Sequence, residues 1–191
     1  MNRIIDELFN KVKSQDKKIS SNAVTALSFI LEIHAWNIPK EDRMSRYSLF
    51  VPQEVVEAEL DESEQAEVVK FISDEIENGS ELTAGLLFAM GQSPAKVGLL
   101  PLIHIIERYL DKFNQDEVYQ ALVALERIMF FKKSIPLEDL RQIIAETNLL
   151  NVISAKILSL QVISHPDLES TSLRLLASLI LLLNNSTEVI A

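Results

Sequence analysis

Proline-headed apolar segments return along this chain about every 35 residues, and that spacing limits the folds open to it more than any other feature. Leu100-Pro101-Leu102 recurs as Ile135-Pro136-Leu137 at an offset of 35, and His165-Pro166 follows 30 residues further on. Each proline begins or interrupts a segment with helical apolar spacing: Leu102 to Phe113, Leu137 to Ala145, and Leu168 to Leu183. Proline suits the first turn of a helix, where its missing N–H is no loss, so the three read as helix starts or kinks. The stretches between them also correspond. Leu82, Gly85, Leu86 and Leu87 match Val118, Ala121, Leu122 and Val123 at an offset of 36, and Val118 and Ala121 match Val152 and Ala155 at 34. The small residues Gly85, Ala121 and Ala155 are expected where two helices come close. In the best-formed copy, Val118, Ala121, Leu122, Leu125 and Ile128 make one seam at i, i+3, i+4 steps, with Gln120 and Arg127 on the other side.

One helix pair cannot cover such a seam; its neighbours must. The spacing therefore predicts an all-α fold, a right-handed α-α superhelix of about four to five stacked helix pairs. Only 4 Gly and 6 Pro among 191 residues agree with long helices, and 48% apolar residues suffice to bury a core. Residues 1–36 read as a first, diverged pair: Ile4, Leu8, Phe9 and Val12 line one helix, and Val24, Leu27 and Leu31, up to Trp36, the other. Residues 37–51 interrupt the rhythm and are expected to be a long connecting loop, in which Arg43, Arg46, Tyr47 and Phe50 either contact a partner or anchor the crossing. Residues 52–79 form an acidic helical segment, and 80–191 the repeats with an apolar last helix, all within one domain.

Leu99-Leu100-Pro101-Leu102-Ile103, a turn at Asp111, then Val118 followed by Ala121 and Ala124, together resemble the HEAT-repeat family. Leu86-Leu87-Phe88-Ala89-Met90-Gly91 ahead of the proline-bearing helix is similar to the short HEAT-like repeats of many bacterial proteins. The resemblance covers about residues 80–165; Tyr119 stands where the family often has Arg. The period is nearer the 34 residues of tetratricopeptide repeats than the ~40–47 of HEAT repeats, but the Trp and Gly-Tyr positions of the former are not filled. The resemblance implies a helical scaffold for protein binding. Small acidic HEAT-like proteins serve as bacterial immunity or antitoxin-like proteins, and HEAT-like chains also act as subunits of chromophore lyases.

Charge narrows the partner. The formal net charge is −10, and residues 51–92 hold Lys70 alone against eleven acidic residues, so the whole excess sits in that stretch. Ala66, Val69, Ile72 and Ile76 recur at helical steps as its apolar stripe, leaving Glu57, Asp61, Glu64, Glu67, Asp74 and Glu77 toward water or a partner. Two readings follow: a solvated helix face, or a docking face for a basic protein. Nonspecific binding to nucleic-acid backbones is disfavoured by the negative charge. The most apolar run, Leu173 to Leu183, is broken by Arg174 and Ser178 and falls short of the ~20 residues of a membrane span. The N-terminus lacks the apolar stretch of a signal peptide. With no cysteine the chain suits a reducing cytoplasm, where it is expected to reside. The same apolar last helix either is covered within the monomer or joins two copies through Leu179 and Leu183.

No arrangement of residues points to catalysis. His34, His104 and His165 are scattered without metal spacing; His34 lies near a helix C-terminus, where an imidazolium is mildly favoured, and His104 shares a polar face with Arg108 and Asp111. Ser93-Pro94 reads as a helix N-cap followed by proline at the first position. The expectation is a noncatalytic protein-binding module with no metal or cofactor. It would use the acidic face together with Gln120 and Arg127 to hold a basic protein partner. The competing classes are a subunit of a hetero-oligomeric enzyme and a purely structural assembly subunit.

Overall fold

Short polar side chains decide where several helices begin. Asn2 accepts from the Ile4 N–H, and Asp16 from Lys18 and Ile19, each satisfying amides that the first turn leaves without partners. Asp61 with Glu64, and Asn114 with Glu117, form reciprocal capping boxes. A computed structural model describes residues 2–131, 135–159 and 167–184. Among these are eleven α-helices and no strand: α1 (Arg3–Val12), α2 (Lys17–Ala35), α3 (Lys40–Tyr47), α4 (Gln53–Val56), α5 (Glu62–Glu77), α6 (Thr83–Gly91), α7 (Ala95–Tyr109), α8 (Gln115–Glu126), α9 (Leu137–Ala145), α10 (Leu149–Ser159) and α11 (Leu168–Asn184). A π-helical turn, Arg127–Phe131, extends α8.

The prolines divide into two kinds. Pro39, Pro52, Pro94 and Pro136 stand immediately before α3, α4, α7 and α9, which spares each helix the loss of an amide. Pro101 lies inside α7, so the helix that the spacing starts at Leu102 already runs from Ala95. Pro94 rather than Ser93 takes the cap position; the Ser93 hydroxyl donates to the Met90 carbonyl at 2.7 Å. Residues 37–51 also differ from the expected loop, because most of them form α3. Arg43 in α3 is buried, donating to the Ile38 carbonyl and to Glu59, both at 2.8 Å. Tyr47 anchors the segment against Phe29, while Phe50 stays largely exposed. His165, Pro166 and the tail beyond Asn184 lie outside the described residues.

Packing arranges the helices in two rows. In one, α2 packs on α6, α6 on α8 and α8 on α11; in the other, α5 packs on α7 and α7 on α10. The contacts of α5 with α6, α7 with α8 and α10 with α11 join the rows. α1 lies on α2 and stacks Phe9 on Phe71 of α5 at 3.9 Å. Leu27, Leu86, Leu87, Leu102, Leu122 and Leu125 are fully buried between the rows. The third copy of the expected repeat does not follow the first two. α11, not α10, lies beside α8; correspondingly Val152 is half-buried and Ala155 exposed, where Val118 and Ala121 are fully buried. Valine and alanine three residues apart occur on any amphipathic helix, so that match carries no information on neighbours. The α8–α11 contact is tied by Glu126, a buried carboxylate that takes two hydrogen bonds from Arg174, at 2.5 and 2.8 Å.

Close approach falls at a different glycine from the expected one. A Cβ on Gly91 would lie 2.7 Å from the Ala124 Cα, whereas one on the exposed Gly85 would make ordinary contact with Val24 at 3.4 Å. Overpacking costs ~1–3 kcal/mol, and Gly→Ala within a helix gains up to ~1 kcal/mol. Urea unfolding is thus expected to show opposite signs: Gly91→Ala less stable by about 1–2 kcal/mol, Gly85→Ala more stable by about 0.5–1 kcal/mol.

Candidate interaction surface

The acidic stretch does not fold into a uniform negative face, because each of its parts meets different neighbours. Asp61 and Glu64 hold the start of α5: the Asp61 side chain accepts from the Glu64 N–H at 2.9 Å, and the Glu64 carboxylate accepts from the Asp61 N–H at 3.2 Å. Glu57 accepts from the Gln53 amide at 2.6 Å. Asp74 pairs with Lys70 one turn away at 2.5 Å, and Glu77 lies 3.9 Å from Arg108 of α7. Glu67 is exposed with no partner among the described residues. Apart from the exposed Glu54, the rest of the stretch is met from outside it: Glu59 by Lys40 and Arg43, Glu62 by Lys96, Glu75 by Lys13, and Glu81 by Lys17. Most of these ion pairs are exposed and add little stability, but they thin the field of the segment.

An outer row of carboxylates runs along α5. Glu67, Asp74 and Glu77 are exposed along one side, and Lys70 is the one cation of that helix. Beside this row α5 and α7 enclose a groove of about 560 Å³, lined by Ala66, Val69 and Ser73 on one wall and Val97, Leu100 and Pro101 on the other. Val68, not Ala66, joins Val69, Ile72 and Ile76 in the core, so Ala66 stands open to the groove. A second groove, of about 790 Å³, runs between α1, α2 and the segment from Phe50 to Val55. Its rim is balanced in charge, with Arg3 and Lys11 against Glu7 and Glu54.

The other expected contact residues are engaged or covered. Gln120 is half-buried on α8. Arg127, also half-buried, lies 3.8 Å from Glu32 and over the Phe88 ring, so it bridges α8 to α2 and α6 instead of facing outward. Leu179 is fully buried and Leu183 half-buried; the exposed apolar side chains of α11 are Leu173, Ile180 and Leu181. Among the described residues no group of His, Asp and Glu is arranged to hold a metal ion, and no helix is long and apolar enough to cross a membrane.

His34 behaves opposite to its local reading. Its Nε2 accepts the Leu60 N–H at 3.2 Å, and a backbone hydrogen bond also links it to Ala58, so the ring joins α2 to the segment before α5. Burial, and then the Arg43 charge, lower its pKa; Glu59 and Glu64 oppose them in part. The neutral ring is the one that accepts from Leu60. The sequence signal for this was absent, since the partner is 26 residues away.

No protein family, curated protein or solved structure matches the sequence. The surface geometry of the chain is therefore the basis for reading its function.

The His34 contact has a pH signature. A histidine whose folded pKa is depressed binds its proton more weakly when folded, so stability falls as pH drops below the unfolded value of 6.5. The slope is at most ~1.4 kcal/mol per pH unit. Urea midpoints between pH 7.5 and 5.5 are expected to decline in the native chain, and less steeply in His34→Gln, whose amide oxygen can still accept from Leu60.

Proposed function

We propose that this chain is a noncatalytic protein-binding module, a HEAT-like helical solenoid that holds a basic protein partner on the outer face of α5. The serial contacts α2–α6–α8–α11 and α5–α7–α10 support a stacked helical scaffold, as the resemblance over residues 80–165 suggests. The observation that carries the binding reading is the α5 row: Glu67, Asp74 and Glu77 exposed in line with only Lys70 among them. Carboxylates fixed on a rigid helix steer a cationic partner without losing side-chain freedom on the scale of a mobile loop. An immunity or antitoxin-like role in a bacterial cytoplasm, neutralising a basic toxin, is the concrete form of this reading.

The acidic row can be tested without disturbing the fold. Asp61 and Glu64 must be left in place, since they cap α5, and a lost cap costs about 1 kcal/mol. Glu67→Gln, Asp74→Asn and Glu77→Gln together are expected to weaken binding on the order of tenfold at low salt. The partner is the one that co-purifies from the native host, and the difference should shrink as salt rises. Equal affinity of the native and triple-variant chains at low salt would overturn the reading.

A second reading, self-association as a structural subunit, is favoured by one observation. Leu173, Ile180 and Leu181 leave an exposed apolar edge on α11, the last helix of its row among the described residues. Leu179 cannot serve, because it is wholly inside the core. Light scattering on the native chain is then expected to give a dimer, and Leu173→Glu with Leu181→Glu a folded monomer. A native monomer ends this reading.

A further inference from the structure

Between α5 and α7 the packing within a row is incomplete and leaves a groove. Here the α5 wall offers Ala66 and Ser73, a helical two-turn step apart, and neither reaches across. On the α7 wall Leu100 is 60% exposed despite lying on a helix packed against its neighbour. Pro101 adds a backbone feature to the same wall. It has no N–H for the carbonyl of Val97, four residues earlier and also on the groove, which therefore lacks its helical donor.

The charges around this apolar floor are selective. Glu77 and Glu107 line the groove, and Glu67 and Asp74 stand along its α5 edge. The cations nearby are already held: Lys70 by Asp74 at 2.5 Å, and Arg108 by His104 at 3.1 Å and more loosely by Glu77 at 3.9 Å. Glu107 caps the start of α10, accepting from the Asn148 N–H at 2.6 Å. An occupant thus meets an apolar slot with acceptors on its borders. The larger groove at α1 and α2 has no such preference, because its rim charges cancel and Glu7 is bound to Lys11 at 2.7 Å.

We propose that the α5–α7 groove seats the apolar anchors of a basic amphipathic segment of a partner protein. A leucine-like side chain enters between Ala66 and Leu100, and lysine or arginine side chains on the adjoining turns meet Glu67 and compete with Lys70 and Arg108 for Asp74 and Glu77. The open side of a channel between two helices suits a helix laid into it, read through anchors at i, i+3, i+4 and i+7. This rests on the protein-binding reading above and adds the seat and the chemistry of the segment. It also explains why Leu100 stays uncovered: burial of exposed leucine surface is left for the bound state.

The test uses three fluorescein-labelled 14-residue peptides, amphipathic Leu/Lys, its Ser/Lys counterpart without anchors, and Leu/Glu with the charge reversed. Binding is followed by fluorescence anisotropy on the full chain. The Leu/Lys peptide is expected to bind at least ~10-fold more tightly than either of the others. Ala66→Arg and Leu100→Asp, both at exposed positions, are each expected to weaken it by ~10-fold or more, while Leu158→Lys at an exposed position of α10 leaves it unchanged. Amide shifts on binding should centre on Ala66, Val69, Leu100 and His104, which also shows that the variants are being compared on a folded chain. If the triple acid variant loses the Leu/Lys peptide but the two groove variants do not, the acidic-face reading stands and the groove is not the seat. If Leu/Glu binds as well as Leu/Lys, the preference for a basic segment is overturned. If neither lysine peptide binds at low salt, the groove proposal and the acidic-face reading both fall.

Discussion

Backbone-to-backbone contact between α6 and α8 governs the rest of this structure. Gly91 approaches Ala124 so closely that no side chain fits between them, and Ala121 completes the small-residue surface of α8. With the two helices this near, Leu86, Leu122 and Leu125 are wholly removed from water. Interiors packed to this density do not stretch to admit another methyl group. α6 and α8 become the middle of a row that α2 and α11 extend, and α5 and α7 are brought together on the other side. Gly98 repeats the device within α7, where a Cβ would run into the Ser93 hydroxyl. The groove beside Pro101 is the counterpart of this density: α6 and α8 close on each other, while α5 and α7 leave space between them.

Charge is reorganised by the same packing. Along the chain the acidic residues are concentrated between positions 51 and 92, yet in space Lys13, Lys17, Lys40 and Arg43 from one side and Lys96 and Arg108 from the other come to meet them. Most of these pairs are exposed and contribute little to stability. Their effect is to thin the field of the segment, leaving Glu54, Glu57, Asp61, Glu64 and Glu67 without an ion pair among the described residues. The pair between Glu126 and Arg174 acts differently. Glu126 is buried, and a buried carboxylate without its partner is strongly unfavourable, so the α8–α11 contact depends on Arg174.

Legibility varied with the range of the interactions. The capping box of Asp61 and Glu64 depends on residues three apart, and its signature could be read directly, although both residues also counted toward the acidic face. His34 shows the opposite. Its place near the end of α2 favours a proton, but burial and Arg43, brought in by α3, favour the neutral ring that accepts from Leu60. Arg127 and Leu179 lie on the faces their spacing assigns them, and the fold then covers both, the one by Glu32 and Phe88 and the other by core packing. Residues 37–51 looked irregular because α3 is short and strongly polar, so it shows little apolar rhythm.

The sequence by itself determined that the chain is helical, where several helices start, and which segment carries the negative charge. These follow from residues within a few positions of one another, where backbone geometry alone decides which side chains meet. Only the tertiary structure decided that α11 lies beside α8, that Gly91 and not Gly85 is the point of closest approach, and that Ala66 and Leu100 stay open to a groove. Apolar spacing announces that a helix has a face to bury, but every such face is attracted to every other by the same nondirectional effect. Which neighbour covers it is settled by how closely the surfaces can fit.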